Sequence, residues 1–233
     1  MKHSVTFLLD ADNTLLDNDR ILADFMGHIE QTVGHQGKQR YWAIFEELRD
    51  ELGYHDYLGA LQGYRNRYPH EPRLMSIASF MLNYPFADRL YSRSLEVVRH
   101  LQQWGVVAIL TDGDMVFQPR KMEQSGLAEA AGGNVLIYVH KEEELEDVER
   151  RYPADHYVLV DDKLRILTAA KKVWGSRVTT VFPRQGHYAL DPEILAQYPP
   201  ADLSLEGVGD LLTCELPALI QAGQSSQPRC ASG

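Results

Sequence analysis

Cysteine is nearly absent: Cys214 and Cys230 are the only two in 233 residues, and both lie close to the C-terminal end. Two thiols so placed build neither a disulfide framework nor a cysteine-ligated zinc site, which makes a reducing compartment, the cytoplasm, the expected location. Long apolar runs are missing too. No stretch approaches the roughly 18 apolar residues of a membrane helix, and the few apolar residues ahead of Asp10 are too short for a secretory leader. Positive charge is scarce, with 23 Lys and Arg against 33 Asp and Glu, a net charge of −10. Nucleic acid and anionic membranes both require a basic surface, so neither is an expected partner. No internal repeat is visible, and the tail 223–233, rich in Gly, Ser, Gln and Pro, is expected to be disordered.

What the chain does have is a set of short, continuous apolar runs: Val5–Leu9, Val106–Leu110, Val135–Val139, Tyr157–Val160 and Val178–Phe182. Continuous rather than alternating runs fit strands covered on both faces. Helical patterns of crossover length separate the later ones, including Lys121–Leu127, Glu142–Arg150 and Leu164–Trp174, which is the rhythm of a parallel α/β sheet. The first gap breaks that rhythm, because about 95 residues separate Leu9 from Val106 where a βαβ unit takes about 30 in all. Its apolar spacing is helical, from Ile21 through Val33 and from Tyr41 through Leu52, with Gly34 and Gly53 as stops and further helices at 56–66 and 73–82. The expected organisation is a core of 1–16 and 92–222 with a helical cap of 17–91 inserted into it.

The strand ends carry the chemistry. The first run stops abruptly at Asp10, with Asp12 and Thr14 just beyond, and open α/β sheets bind ligands at that edge. Asp10 is a candidate nucleophile able to form an aspartyl-phosphate, and Asp12 a candidate acid and base for the leaving oxygen and the hydrolytic water. The second run ends in Thr111, Asp112 and Gly113, which offer a hydroxyl and two backbone amides to phosphoryl oxygens. The third leads into Lys141, placed to hold nucleophile and phosphoryl charge together, with Lys121 as the competing lysine. The fourth ends in Asp161 and Asp162, adjacent carboxylates that with Asp10 form an all-oxygen site for a hard cation such as Mg²⁺. Each piece alone reads as an ordinary turn. Together they occupy four successive strand ends.

The ordered set Asp10-Ala-Asp12-Asn-Thr14, Thr111, Lys141 and Asp161-Asp162 resembles the four motifs of the haloacid dehalogenase superfamily over residues 4–182. The resemblance implies a Rossmann-like core of five parallel strands, Asp12 contributing its backbone carbonyl to the metal, Asp162 binding Mg²⁺ directly and Asp161 through water. The insert is similar to the helical cap of the subgroup containing phosphoglycolate phosphatase and β-phosphoglucomutase. Two departures stand out: Asp112 occupies a place where many relatives have Asn, and no second acid follows Asp162 four residues on, where Ile166 sits. The implied function is a Mg²⁺-dependent phosphatase of a small phosphorylated metabolite, acting as monomer or homodimer. A haloacid dehalogenase, a phosphomutase and an inactive phosphometabolite-binding module are the alternatives. Asp12 speaks against dehalogenation, since carbon–halogen displacement needs no leaving-group acid. His187 is placed to reach the site edge, and Arg65, Arg67 and His70 are candidates for a second anionic group on the substrate.

Overall fold

Alternate residues of each apolar run enter two different cores. In the computed structural model, which describes residues 3–224, β1 (His3–Leu9) sends Val5, Phe7 and Leu9 into one buried cluster and Leu8 into a second. The next strand, β2 (Val106–Asp112), divides in the same way, with Val107 and Ile109 in the first cluster and Ala108 and Leu110 in the second. Since burying one such side chain is worth roughly 1.5–3 kcal/mol, neither face of these strands tolerates a charge. The polar residues are therefore displaced to the strand ends.

Four further strands complete the sheet: β3 (Val135–Tyr138), β4 (Ala154–Val160), β5 (Val178–Pro183) and β6 (Leu203–Leu205). The order is β3-β2-β1-β4-β5-β6, parallel throughout. The sheet thus has six strands where five were expected. The sixth is three residues long, a serine between two leucines, too short to carry a periodicity signal, and it is recruited by pairing of Val181–Pro183 with Leu203–Leu205. The strand order reverses between β1 and β4, so Asp10 and Asp161 open into the crevice at that switch point.

The inserted helices are α1 (Asn18–Leu52), α2 (Tyr57–Arg67) and α3 (Leu74–Leu82). Gly34 kinks α1 without ending it: its φ of 77° and ψ of 173° interrupt a rod that resumes beyond. Gly53 does end it, in the left-handed conformation with φ 79°, and a Cβ there would come within 2.2 Å of the His140 ring. These helices surround a third cluster centred on Phe25, whose ring meets those of Tyr57 and Tyr84 edge-on at 5.3 and 5.1 Å. The chain enters and leaves the insert side by side, with the Asp17 N–H donating to the Arg89 carbonyl (2.8 Å) and the Tyr91 N–H to that of Leu15 (2.9 Å).

The remaining helices cover the sheet. They are α4 (Ser94–Leu101), α5 (Phe117–Gln124), α6 (Leu127–Ala130), α7 (Leu145–Arg151), α8 (Leu164–Trp174), α9 (Gly186–Leu190), α10 (Pro192–Leu195) and α11 (Leu216–Gln224). One of them links core and insert: Phe117, the first residue of α5, packs into the third cluster with Phe25 and Tyr57. That anchor sets the position of Gln118 and Lys121 on the same helix. Gly223 and Gln224, the first residues of the expected tail, belong to α11; the rest of that tail lies outside the described residues. Among the described residues no helix is long and apolar enough to cross a membrane.

Candidate active site

The carboxylate of Asp10 sits at the floor of the crevice. Its backbone N–H donates to the Val160 carbonyl (2.9 Å), so the β1–β4 ladder holds it up to its last bond. The residue is 3% exposed, and its side chain accepts from the Lys141 ammonium, which also donates to the Leu110 carbonyl at 3.2 Å and lies 2.7 Å from Asp161. Lys141 stands in the short turn Lys141–Glu143 after β3, and its backbone N–H donates to the Asp112 carboxylate at 2.8 Å. Asp112 is therefore turned toward that turn, and burial raises its pKa despite the nearby Lys141 charge.

Asp161 and Asp162 follow β4. Asp161 accepts from the Lys163 backbone N–H at 2.8 Å, and the Asp162 N–H donates to the Thr14 hydroxyl at 3.1 Å, joining the first and fourth strand ends directly. Asp10, Asp161 and Asp162 each offer an oxygen within 4.8 Å of the others. Both Asp162 oxygens and Asp10 Oδ2 are buried without a hydrogen-bond partner among the described residues. Burial without compensation costs an ionised carboxylate several kcal/mol, and it pushes Asp10 up to about 6 and Asp162 well above the usual carboxylate range. Three converging acids, two of them with orphaned oxygens, fit a hard cation. The donor set contains no sulfur and no imidazole, which disfavours zinc.

Asp12 has a different setting. Its side chain is 25% exposed and receives two hydrogen bonds from the buried Lys121 ammonium, 2.6 and 2.8 Å long. Lys121 also donates to Asn18 Oδ1 at 3.2 Å, and Asn18 in turn reaches the Tyr57 hydroxyl at 3.3 Å. The two competing lysines have separate carboxylates: Lys141 meets Asp10 and Asp161, and Lys121 meets Asp12. Thr111 is buried and its hydroxyl accepts from Gln118 Nε2 at 2.9 Å. Gly113 departs from expectation, because its N–H donates to the Tyr138 carbonyl at 3.0 Å. The strand ladder between β2 and β3 takes that donor, so it is not free for a phosphoryl oxygen in this conformation.

Above these groups is a cavity of about 300 Å³ between insert and core. Asp12, Asp112, Gln118 and Lys121 line its floor, Tyr54, His55 and Tyr57 its insert side, and Lys163, Tyr188 and Tyr198 its far side. Burial, with Lys163 close by, pushes His55 down to about 4 and keeps the ring neutral at pH 7. His187 lines the cavity and clamps the insert: its backbone N–H (2.8 Å) and ring Nδ1 (2.6 Å) both meet the Asp19 carboxylate, which Asn13 Nδ2 also reaches at 3.0 Å. Arg65, Arg67 and His70 do not line it. Arg67 pairs with Glu47 at 2.6 Å, and Arg65 faces a groove between α2 and α3. Gln118, Asn18 and Lys163 are site residues that sequence reasoning missed. Only Lys163 left a signal, as a cation immediately after two strand-end acids.

Comparison with known proteins places this geometry among relatives. Residues 5–173 match the model of a hydrolase family described as haloacid dehalogenase-like hydrolase. The crystal structure of a haloacid dehalogenase-like hydrolase from Burkholderia xenovorans is 55% identical over 93% of this chain and 99% of its own, with a TM-score of 0.89. A haloacid dehalogenase-like family hydrolase from Xanthomonas campestris is 16% identical over 96% of this chain and 95% of its own, with a TM-score of 0.66. L-2-haloacid dehalogenase from Xanthobacter autotrophicus, with chloropropionic acid covalently bound, is 17% identical over 91% and 98%, with a TM-score of 0.58. The last two share the fold alone. Comparison with curated proteins returns no match.

Proposed function

The chain belongs to the haloacid dehalogenase-like hydrolases, and from that premise we propose that it is a Mg²⁺-dependent phosphatase of a small phosphorylated metabolite. The observation that carries this reading is Asp12, a second carboxylate at the cavity floor, held there by Lys121. Displacement of halide from carbon releases a stable anion and requires no proton donor. Cleavage of a phosphate ester releases an alkoxide, which does.

The steps follow from the residues. Asp10 Oδ2 has no protein partner and attacks phosphorus, forming the aspartyl-phosphate as the ester P–O bond breaks. Asp12 gives its proton to the departing oxygen, then takes one from the water that attacks the same phosphorus, releasing inorganic phosphate and freeing Asp10. Lys141 and the Thr111 hydroxyl steady the charge on the phosphoryl oxygens. Asp10, Asp161, Asp162 and the Asp12 carbonyl would hold Mg²⁺, which when bound would supply charge neutralisation for the reaction.

Purified protein with Mg²⁺, assayed against phosphate esters and 2-haloacids side by side, should release phosphate and lose that activity in EDTA. Halide release that survives EDTA would establish the dehalogenase reading instead, which the fold shared with the Xanthobacter enzyme keeps in view.

Cation binding should also depend on pH in a defined direction. Burial raises folded Asp10 to about 6 from an ordinary 3.8 and pushes Asp162 well above the usual carboxylate range. Below those values protons occupy the ligands and compete with the ion. The rise in melting temperature that Mg²⁺ gives over EDTA should be small at pH 5 and grow through pH 6 to 8. Taking the difference between the two conditions removes the contributions of His55 and His156, whose pKa values burial lowers and which by themselves make stability rise with pH. A difference that is flat across this range would contradict the assignment.

A further inference from the structure

The cations that line the cavity have carboxylate partners, with one exception. Lys121 is held by Asp12, Arg49 by Glu46 and Asp50, Arg165 by Glu142 and His187 by Asp19. Lys163 differs: among the described residues no carboxylate oxygen lies within ion-pair distance of its ammonium, which stands 5.1 Å from the centroid of the Tyr188 ring. Asp162, Asp10 and Asp161 act on this charge from beyond contact distance, and the Tyr188 ring lies under it, but among the described residues its N–H donors meet no acceptor that stands in for their lost hydration. An anion arriving with the substrate would replace it, through a charge-assisted hydrogen bond.

The transferring phosphoryl group has a cation nearer to the nucleophile. Its cation is Lys141, which follows β3 and touches Asp10. Lys163 follows β4, on the other side of β1 in the sheet, beside Leu164, Tyr188 and Tyr198 of the cavity wall. Resting on the phosphatase reading, we infer that the leaving group carries a second anionic group, a carboxylate or a second phosphate, and that Lys163 receives it. Lys163 is on this inference a specificity determinant. The arginines of α2 are not, because they lie away from the cavity.

Two matched series of esters test this with the full chain and Mg²⁺: phenyl phosphate, 4-carboxyphenyl phosphate and 1,4-phenylene bisphosphate, then 2-hydroxyethyl phosphate, carboxymethyl phosphate and ethylene bisphosphate. In at least one series kcat/KM for an anionic member should exceed that for the neutral member by about tenfold or more, mainly through KM. The favoured member identifies carboxylate or phosphate. Lys163→Ala and Lys163→Gln should bring the ratio close to one, and Lys163→Arg should restore it. A wild-type ratio near one in both series, or a ratio unchanged in Lys163→Ala, overturns the inference and leaves the phosphatase reading standing. Failure of the wild type to hydrolyse any of these esters contradicts the phosphatase reading itself and removes the basis of the inference with it.

Discussion

Replacing Asp10 by Asn should abolish turnover of phosphate esters, by roughly 10⁴-fold or more in kcat, as expected when a covalent nucleophile is removed from a site whose parts act together. The same substitution should leave the cation-free protein no less stable at pH 7. The reasoning is one of sign. Burial and the neighbouring Asp161 raise the Asp10 pKa to about 6 even against the attraction of Lys141, so its charge is less favourable in the folded state than in the unfolded chain. A neutral isostere relieves that cost, and Lys141 keeps Asp161 as its partner. Activity should therefore vanish while urea unfolding at pH 7 in EDTA shows equal or greater stability. Retention of more than about 1% of kcat would exclude Asp10 as the nucleophile.

Lys141→Met should have the opposite signature, with both activity and stability falling. Lys141 is 1% exposed and lies against two buried carboxylates, Asp10 and Asp161. Removing one member of such a cluster leaves uncompensated buried charge, at a cost of about 3–5 kcal/mol. For a chain of this size that corresponds to a melting temperature lower by roughly 10 °C. The loss should shrink at pH 5, where the stranded carboxylates take up protons, and should shrink at pH 7 when Asp10→Asn is added, because the two sites share one interaction. A melting temperature within about 2 °C of wild type at pH 7 in EDTA would show that Lys141 does not hold this cluster together.

Much of this site was legible because its parts lie at strand ends, and strand ends are where an apolar run gives way to charge. Asp10, Asp161 and Asp162 could be placed together once the runs before them were read as neighbouring parallel strands. The structure puts three of their oxygens within 4.8 Å of one another. The contact between Lys121 and Asp12 spans 109 positions. It depends on Phe117 being gripped by aromatic rings of the insert, which no local pattern encodes. Gly113 was misread for a related reason: a strand-end amide looks free until the neighbouring strand is in place, and Tyr138 supplies the carbonyl that takes it. The sixth strand stayed hidden because Leu203–Leu205 has no periodicity of its own and exists by pairing with β5.

The fate of the oxygen atom in the hydrolytic water tests the central claim most directly. In the phosphatase account water attacks phosphorus, so turnover in H₂¹⁸O with a phosphate ester should place label in the released phosphate and none in the Asp10 peptide on mass spectrometry. Label in the Asp10 carboxylate would mean that water attacks the carbonyl carbon of an ester intermediate, the route of carbon–halogen displacement, and would contradict the account.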